Sequence, residues 1–309
     1  MSQGSDRLVH IVDEVIDLEG QQPVLLVALD GFLDAGNVTS LAVAHLTSED
    51  AGRVVASFEV DELHDYRARR PAMTFQEDRY TDYDAPRLSV RLLRDGGEKP
   101  YLLLSGPEPD IRWEAFARAV REVVEAFDVR LVVSMGSVPM AVPHTRPIQL
   151  TNHATSERLL SQENVWDGEV RIPASAQALL EIRLGEWGHD ASGFVAHVPH
   201  YVAQVDYPAA ARRLLSAVGD SVGLHWDLDA LDEAAAERAR EIAEQVDQSP
   251  DVREVVSGLE QQYDAFHNAA GRGLLADDEP LPSGDELGAQ FEEFLAGLEG
   301  PDASEGETR

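Results

Sequence analysis

The 309-residue sequence contains no cysteine and a single lysine, Lys99. The absence of cysteine excludes disulfide bonds and thiolate metal sites. No apolar run approaches the roughly 20 residues that cross a bilayer, and residues 1–6 lack the basic and apolar segments of a secretory signal. These absences predict a cytoplasmic protein with no membrane partner. Hydrophobic residues make up 43% of the chain, which is enough for a large core in one or two domains.

Positive charge is also scarce. Lysine and arginine together number 25 against 57 aspartates and glutamates, so the formal net charge is -32. Such a field repels phosphate backbones and anionic lipid headgroups, and nucleic acid is therefore not an expected partner. A GC-rich coding bias explains the lack of lysine, but adaptation to salt would also produce an acidic surface. Composition alone does not separate these two causes.

Apolar runs alternate along the chain with segments of helical periodicity. This order predicts an α/β fold, with a mostly parallel sheet flanked by helices. The predicted strands are residues 24–29, 53–60, 87–93, 101–104, 129–134 and 193–198. The predicted helices are one capped by Asn37 or Thr39 that runs through Leu46, one capped by Asp110 that runs to Phe127, and residues 174–183 and 209–218.

The pattern changes after residue 226, so we predict a core domain over residues 1–226. Asp229 and the Ser249-Pro250 pair are suited to start two helices, which predicts a helical hairpin over 227–270, packed on the core or on a neighbouring subunit. Residues 271–309 are strongly acidic and predict a disordered tail. Within the tail, apolar residues at helical spacing between Leu287 and Leu298 predict one short helix that could dock into a partner groove.

Polar and glycine residues follow three of the predicted strands. The carboxyl ends of parallel strands share one crevice, which is where α/β proteins bind ligands. Asp34 and the backbone N–H groups beside it would suit a sugar hydroxyl or a small anion, whereas the alternative is a tight turn with a capping residue. The glycines would let a ligand approach the backbone or would only form turns. The predicted ligand-binding residues are Gly31, Asp34, Gly36, Asn37, Ser105, Gly106, Gly136, Ser137 and Arg146.

Titratable residues also cluster in two loops. Residues 60–71 hold His64 and three arginines, which would serve acid–base chemistry or anion binding, or else form an exposed loop or an oligomer contact. His144, Arg146 and His153 form a second such region, with ordinary loop hydrogen bonding as the alternative. Neither His-Glu-x-x-His nor the glycine signatures of serine hydrolases, P-loop proteins and dinucleotide-binding proteins occurs. We therefore predict no metal and no cofactor. This holds even though His197 and His200 lie close together at the end of a late predicted strand and histidine is a common metal ligand.

Three strings carry a family resemblance: Gly31-Phe32-Leu33-Asp34-Ala35-Gly36, Ser105-Gly106-Pro107-Glu108-Pro109 and Val198-Pro199-His200-Tyr201. In their order and spacing, the chain resembles the proteasome assembly chaperone 2 family, in its actinobacterial branch, over roughly residues 10–270. The resemblance implies a nucleoside-phosphorylase-like core and homo-oligomers, often trimers. The eukaryotic branch chaperones the proteasome α ring and docks through a C-terminal hydrophobic-Tyr-any residue signature. This chain ends in residues 306–309, Gly-Glu-Thr-Arg, which lack that signature.

Two functions remain open at this stage. The first is a homo-oligomeric binding or assembly protein, with a trimer favoured and a protein partner. The second is a nucleosidase- or phosphorylase-like enzyme that takes a small nucleoside-like or glycosylated ligand. In that enzyme Asp34 or Glu108 would assist the leaving group, and His200 would shuttle a proton. The anion would be held by arginines of the 67–70 loop or by Arg146.

Overall fold

The computed structural model describes residues 7–12, 18, 20–31, 33–160, 164 and 169–270. Phe32 and the acidic segment 271–309, with its predicted helix, lie outside the described residues. The strands are β1 (Val9–Ile11), β2 (Val24–Asp30), β3 (Arg53–Phe58), β4 (Thr74–Gln76), β5 (Arg79–Thr81), β6 (Ser89–Arg94), β7 (Pro100–Pro107), β8 (Leu131–Met140), β9 (Leu150–Ala154) and β10 (Ala191–Pro199). The helices are α1 (Val38–Leu46), α2 (Trp113–Ala126), α3 (Ala176–Glu186), α4 (Pro208–Val222), α5 (Asp229–Gln248) and α6 (Pro250–Ala270).

Eight strands form one sheet in the order β1-β3-β6-β7-β2-β8-β10-β9. The four central strands, β7, β2, β8 and β10, are parallel. Antiparallel strands extend the sheet on both sides, β6, β3 and β1 beyond β7 and β9 beyond β10. The α/β fold and its parallel strands are thus confirmed, and the antiparallel strands make the sheet mixed. β4 and β5 form a separate two-stranded ribbon.

The side chains of β2 alternate between two hydrophobic cores because β2 is buried on both faces of the sheet. Val24, Leu26 and Ala28 belong to one core, which also contains the buried residues of α1, α4 and α5. Leu25, Val27 and Leu29 belong to the other core, with α2 and α3. The result is a three-layer arrangement with helices on both faces. Leu231 and Ile242 place α5 against the first core.

One predicted cap is wrong, and the other, Asn37, occupies the N-cap position of α1. Asp110 does not cap α2, since Arg112 precedes that helix in the left-handed region at φ 59°. The Asp110 carboxylate instead accepts a hydrogen bond from the Asp65 N–H at 2.7 Å and pairs with Arg69 at 2.8 Å. Asn37, however, makes no side-chain capping bond to α1. Within the described ranges, no helix is long and apolar enough to cross a membrane.

Candidate functional site

Asp34 connects three elements at the carboxyl ends of the central strands. One carboxylate oxygen accepts hydrogen bonds from the Thr39 N–H at 2.7 Å and from Ser137 Oγ at 3.2 Å. The other oxygen accepts from the Ser40 N–H at 3.0 Å and from Ser40 Oγ at 2.8 Å. The predicted ligand-binding residue is therefore the cap of α1. It also ties that helix to β8 through Ser137.

The rest of the first turn is bonded to the segment that enters α4. The Gly36 N–H donates to the Ala203 carbonyl at 2.7 Å, and the Tyr207 N–H donates to the Gly36 carbonyl at 2.8 Å. Gly36 has φ 68°, and a Cβ there would lie 2.8 Å from the Tyr207 Cβ. Asn37 Nδ2 donates to Asp206 at 2.7 Å. The positive φ of Gly36 and its close contact with Tyr207 explain why this position is a glycine.

Glu108 follows β7 and caps a different helix. One carboxylate oxygen accepts the Ala176 N–H at 2.6 Å, at the start of α3, and the other lies 3.1 Å from the Cβ position of Gly31. The structure thus brings Gly31 and Glu108 together. Ser105 pairs with Ala28 in the β2–β7 ladder, close behind this end of the sheet.

Gly106 lies near the end of β7, whereas Gly136 lies inside β8, and the two glycines differ in their surroundings. Gly106 has φ 130°, and a Cβ there would overlap the Arg87 carbonyl oxygen and lie 2.9 Å from Leu88 Cα. A neighbouring segment of the chain therefore occupies the space that a ligand was predicted to approach. At Gly136 the nearest atom to an added Cβ is Val195 Cγ2, at 3.9 Å.

Arg146, the predicted anion holder, already binds two carboxylates of α6. Its guanidinium donates to both oxygens of Asp264, at 2.8 and 2.7 Å, and to Glu260 at 3.1 Å. The hydrogen bond to Asp264 is the main reason that the pKa of Arg146 is raised, and the same bond lowers the pKa of Asp264. This bidentate contact anchors α6 to the loop after β8.

His200 lies in a short 3-10 turn after β10, beside Tyr201. Burial raises the pKa of Tyr201 to about 12. The Tyr201 hydroxyl contacts the N–H of His144 at 2.8 Å and its Nδ1 at 2.7 Å. Burial also lowers the pKa of His144, which favours the neutral ring. His144, Tyr201 and His200 thus form an aromatic cluster near the anchor of α6.

The titratable loop after β3 is held in place by a similar network. His64 is buried, and its Nε2 lies 2.8 Å from the Arg69 carbonyl oxygen. Arg69 binds Asp110 and the Glu108 carbonyl. Burial alone would raise the pKa of Asp110, but the hydrogen bonds from Arg69 and Asp65 outweigh it and lower that pKa. Among the described residues, no group of three or more His, Asp or Glu side chains could hold a metal ion.

Sequence reasoning missed a polar row across β8, β10 and β9. Gly193 of β10 is paired with Ser134 of β8 on one side and with His153 of β9 on the other. Above this row, Glu181 of α3 lies 2.8 and 2.9 Å from His153 Nδ1 through its two oxygens. β9 was not predicted from the sequence, so the pairing of His153 with Gly193 across β9 and β10 was not predicted either. A glycine at the start of the strand predicted over residues 193–198 was the available signal.

An exposed arm, residues 73–83 with β4 and β5 at its centre, was also missed. Four apolar or aromatic side chains on the arm are 51–72% exposed: Met73, Phe75, Tyr80 and Tyr83. The Phe75 and Tyr80 rings face each other across the ribbon, with centroids 5.0 Å apart. An isolated two-stranded ribbon is marginally stable in water, and the contact between these rings helps to hold its two strands together.

Several solved structures are similar to this chain. A Mycobacterium tuberculosis protein of unknown function is 46% identical, with a TM-score of 0.82, over 88% of this chain and 94% of that one. A Corynebacterium glutamicum protein of unknown function is 40% identical, with a TM-score of 0.80, over 84% and 98%. A Mycobacterium tuberculosis proteasome-assembly chaperone homologue is 27% identical, with a TM-score of 0.69, over 75% and 99%. No curated protein matches the chain.

The PAC2 family model matches residues 28–246, from within β2 to within α5. This span contains the central parallel strands, the Asp34 turn, the exposed arm and the aromatic cluster around Tyr201. A match over well over half of the sequence establishes the relationship that the three strings suggested. The chain belongs to the PAC2 family.

Proposed function

We propose that this protein is a binding or assembly factor that works through protein–protein contacts, as a homo-oligomer with a trimer favoured. The observation that carries the proposal is the exposed arm with its four apolar side chains, Met73, Phe75, Tyr80 and Tyr83. Contiguous exposed apolar surface marks interaction sites, and aromatic residues supply much of the binding energy of interfaces. A second copy of the chain is the first partner that we propose for the arm.

The charges along the arm favour a contact between copies that runs from tip to base. The tip carries Glu77 and Asp78, of which Asp78 is paired with Arg79 at 2.9 Å and Glu77 makes no ion pair within the described part of the chain. Arg67 and Arg70 lie exposed just before the arm and make no ion pair with the described residues. The acidic tip of the arm on one copy would therefore contact Arg67 and Arg70, just before the start of the arm, on the next copy. A contact between two different surfaces of neighbouring copies generates a closed ring when repeating the rotation between copies returns to the first one. A trimer is one such ring.

A partner other than a second copy follows from the relatives. One similar protein is a proteasome-assembly chaperone homologue, so proteasome subunits are the first heterologous partners that we propose.

We also propose a cytoplasmic setting, a nucleoside-phosphorylase-like core, and α5 and α6 as a helical hairpin on that core. The N-glycosidic enzyme has no observation in its favour, since Asp34, Glu108 and Arg146 all bind groups of the protein itself.

The oligomer is tested by light scattering on the purified full chain. The wild type should have about three times the monomer mass of 33.8 kDa, and Phe75→Ser with Tyr80→Ser should shift the protein to that monomer mass. Ile182→Ser is the matched control, because Ile182 is a similarly exposed apolar residue on α3. A monomeric wild type, or dissociation by Ile182→Ser alone, would overturn the assignment of the arm.

The partner is tested by capture of proteasome α subunits from the protein's own host. We expect tagged wild-type chain and Ile182→Ser to retain them and the double arm variant to lose them. If the arm variant retains them as well as the wild type does, the arm does not bind the partner. If none of the three retains them, proteasome subunits are not the partner.

A further inference from the structure

The polar row under α3 places a serine hydroxyl and a histidine, which a carboxylate orients, over the same glycine. We propose that Ser134, His153 and Glu181 form a catalytic triad that accepts an acyl group from small activated esters. This inference is independent of the binding function proposed above. Triads are recognised by geometry and roles rather than by sequence order, so the absence of Gly-x-Ser-x-Gly does not exclude one.

The strand register places the serine and the histidine on one face of the sheet, with Gly193 between them. A Cβ on Gly193 would overlap Ser134 Oγ and would lie 2.6 Å from His153 Nε2. Both polar atoms therefore reach over the glycine toward the same point. Any larger residue in the middle of this row would separate them, which explains a glycine inside a buried strand.

Glu181 determines which nitrogen of His153 is available. A carboxylate only accepts hydrogen bonds, so its contacts of 2.8 and 2.9 Å require the proton of His153 on Nδ1. In the neutral ring, Nε2 is then the acceptor, and Nε2 is the nitrogen that lies over Gly193 beside Ser134. This is the arrangement in which a carboxylate orients a histidine as the base for a hydroxyl.

Ser134 is the last residue of β8 that pairs with β2. The ladder between β2 and β8 ends at the pair Val27–Ser134, and beyond it the two strands diverge around Asp34. Ser134 is 6% exposed, whereas the His153 side chain is 39% exposed. The only hydrogen bond that Ser134 Oγ donates to a described residue is a long one, 3.4 Å to the Ser192 carbonyl. The hydroxyl is thus weakly held. No hydrogen bond joins it to His153 among the described residues, and catalytic contacts of this kind often tighten only when substrate binds.

Gln177, one turn before Glu181 on α3, adds a polar group beside the row. Its amide nitrogen donates to the Met135 carbonyl at 3.0 Å, next to Ser134. Its amide oxygen is buried and has no hydrogen-bond partner among the described residues. An unpaired buried acceptor costs free energy, so it is suited to bind a donor group of a ligand.

The chemistry follows from these positions. Ser134 Oγ attacks the carbonyl carbon of the ester, and His153 Nε2 takes the hydroxyl proton as the new C–O bond forms. The tetrahedral intermediate collapses with cleavage of the bond to the leaving alkoxide, which receives that proton from His153. Water, activated by the same nitrogen, then attacks the acyl-serine and releases the acid. The ion pair with Glu181 stabilises the histidinium during both steps.

A small organophosphorus fluoride tests the proposal on the full chain. It should form a phosphorus–oxygen bond to Ser134 with loss of fluoride, which is read as a mass increase mapped to the peptide that contains Ser134. Ser134→Ala should abolish the adduct, while His153→Ala and Glu181→Gln should slow its formation by at least tenfold. Ser192→Ala is the matched control and should react like the wild type, because it alters a buried serine on the opposite face of the sheet.

Two further readouts separate catalysis from structure. Thermal unfolding of each variant shows that it is folded before its labelling rate is compared. Hydrolysis of p-nitrophenyl acetate should fall in the same order as labelling across the variants. No adduct on a folded wild type, an adduct on another serine, or equal labelling rates in wild type and Glu181→Gln would each overturn the triad.

Discussion

Two carboxylates at the carboxyl ends of the sheet stabilise the starts of two helices. Asp34 accepts backbone N–H groups from α1, and Glu108 accepts one from α3. A helix start leaves its first N–H groups unpaired, and the helix dipole favours negative charge there. Because each carboxylate comes from the turn after a strand, each cap also fixes how its helix sits on the sheet.

Asp34→Ala should lower the free energy of unfolding by about 1–2 kcal/mol, since it removes the cap of α1 and the bond to Ser137. Asp34→Asn should cost less, because the amide oxygen can still accept one N–H. Chemical denaturation measures both. Glu49→Ala, at an exposed bend after α1, is the control and should change stability by less than about 0.5 kcal/mol. A change at Asp34 as small as the control's would mean that the cap contributes little.

Gly106 and Gly136 allow a paired test. Gly106→Ala should destabilise the fold by about 3 kcal/mol, because the new Cβ would overlap the Arg87 carbonyl and φ would stay at 130°. Gly136→Ala should cost less than about 1 kcal/mol, since its nearest neighbour is 3.9 Å away. Thermal unfolding distinguishes the two. Equal losses would show that the backbone around Gly106 adjusts freely.

Single residues show where sequence reasoning succeeds and fails. The string around Asp34 indicates a strand, a turn and a helix, and all three are present. It does not show that Ser137, 103 residues later, donates to the same carboxylate, because that contact depends on how the strands are ordered in the sheet. A carboxylate at a helix start has the same local pattern whether it caps the helix or binds a ligand.

At the scale of elements, Asp95 joins the turn between β6 and β7 to the segment that links α4 and α5. It is buried and accepts N–H groups from Gly97, Lys99 and His225 at 2.8–2.9 Å. Burial alone would raise the pKa of Asp95, but these hydrogen bonds outweigh it and hold the pKa below its usual 3.8. The charged form therefore stabilises the folded state.

A group whose pKa is lowered by folding contributes stability above its unfolded pKa and loses it as the pH falls through the folded value. Asp95→Asn should therefore unfold more easily than the wild type at pH 7, by roughly 2 kcal/mol. The gap between the two proteins should narrow as the pH falls below about 4, where the wild-type carboxylate takes up its proton. Urea titrations across this range measure it. A gap that stays constant would show that protonation of Asp95 is not linked to folding.

Long elements were predicted from their periodicity, and short ones were missed. The pattern of α2 places its apolar residues on one face, and these residues are buried against the sheet. β1 and β4 have only three residues each, too few to show alternation. The position of α6 was not predicted, since the contacts of Arg146 with Asp264 and Glu260 join residues more than 100 positions apart.

At the scale of the whole molecule, the acidic charge opposes both folding and association. Acidic residues exceed basic ones by 57 to 25. Many arginines are already paired, such as Arg183 with Glu114 and Arg212 with Asp232. Exposed pairs of this kind contribute little, whereas repulsion among the surplus carboxylates acts over the whole surface. The association that we propose therefore depends on apolar contacts such as those of the arm.

Salt should stabilise this protein. Raising sodium chloride from about 0.01 to 0.5 M shortens the Debye length from about 30 Å to a few Å, so repulsion between distant carboxylates is screened more than contact ion pairs are. The unfolding temperature should rise by several degrees across this range, and the dissociation constant of the oligomer should fall with it. Sucrose at matched osmolality is the control, since it leaves the charges unscreened. If salt lowers the unfolding temperature, the stabilisation from the arginine ion pairs is larger than the repulsion among the surplus carboxylates.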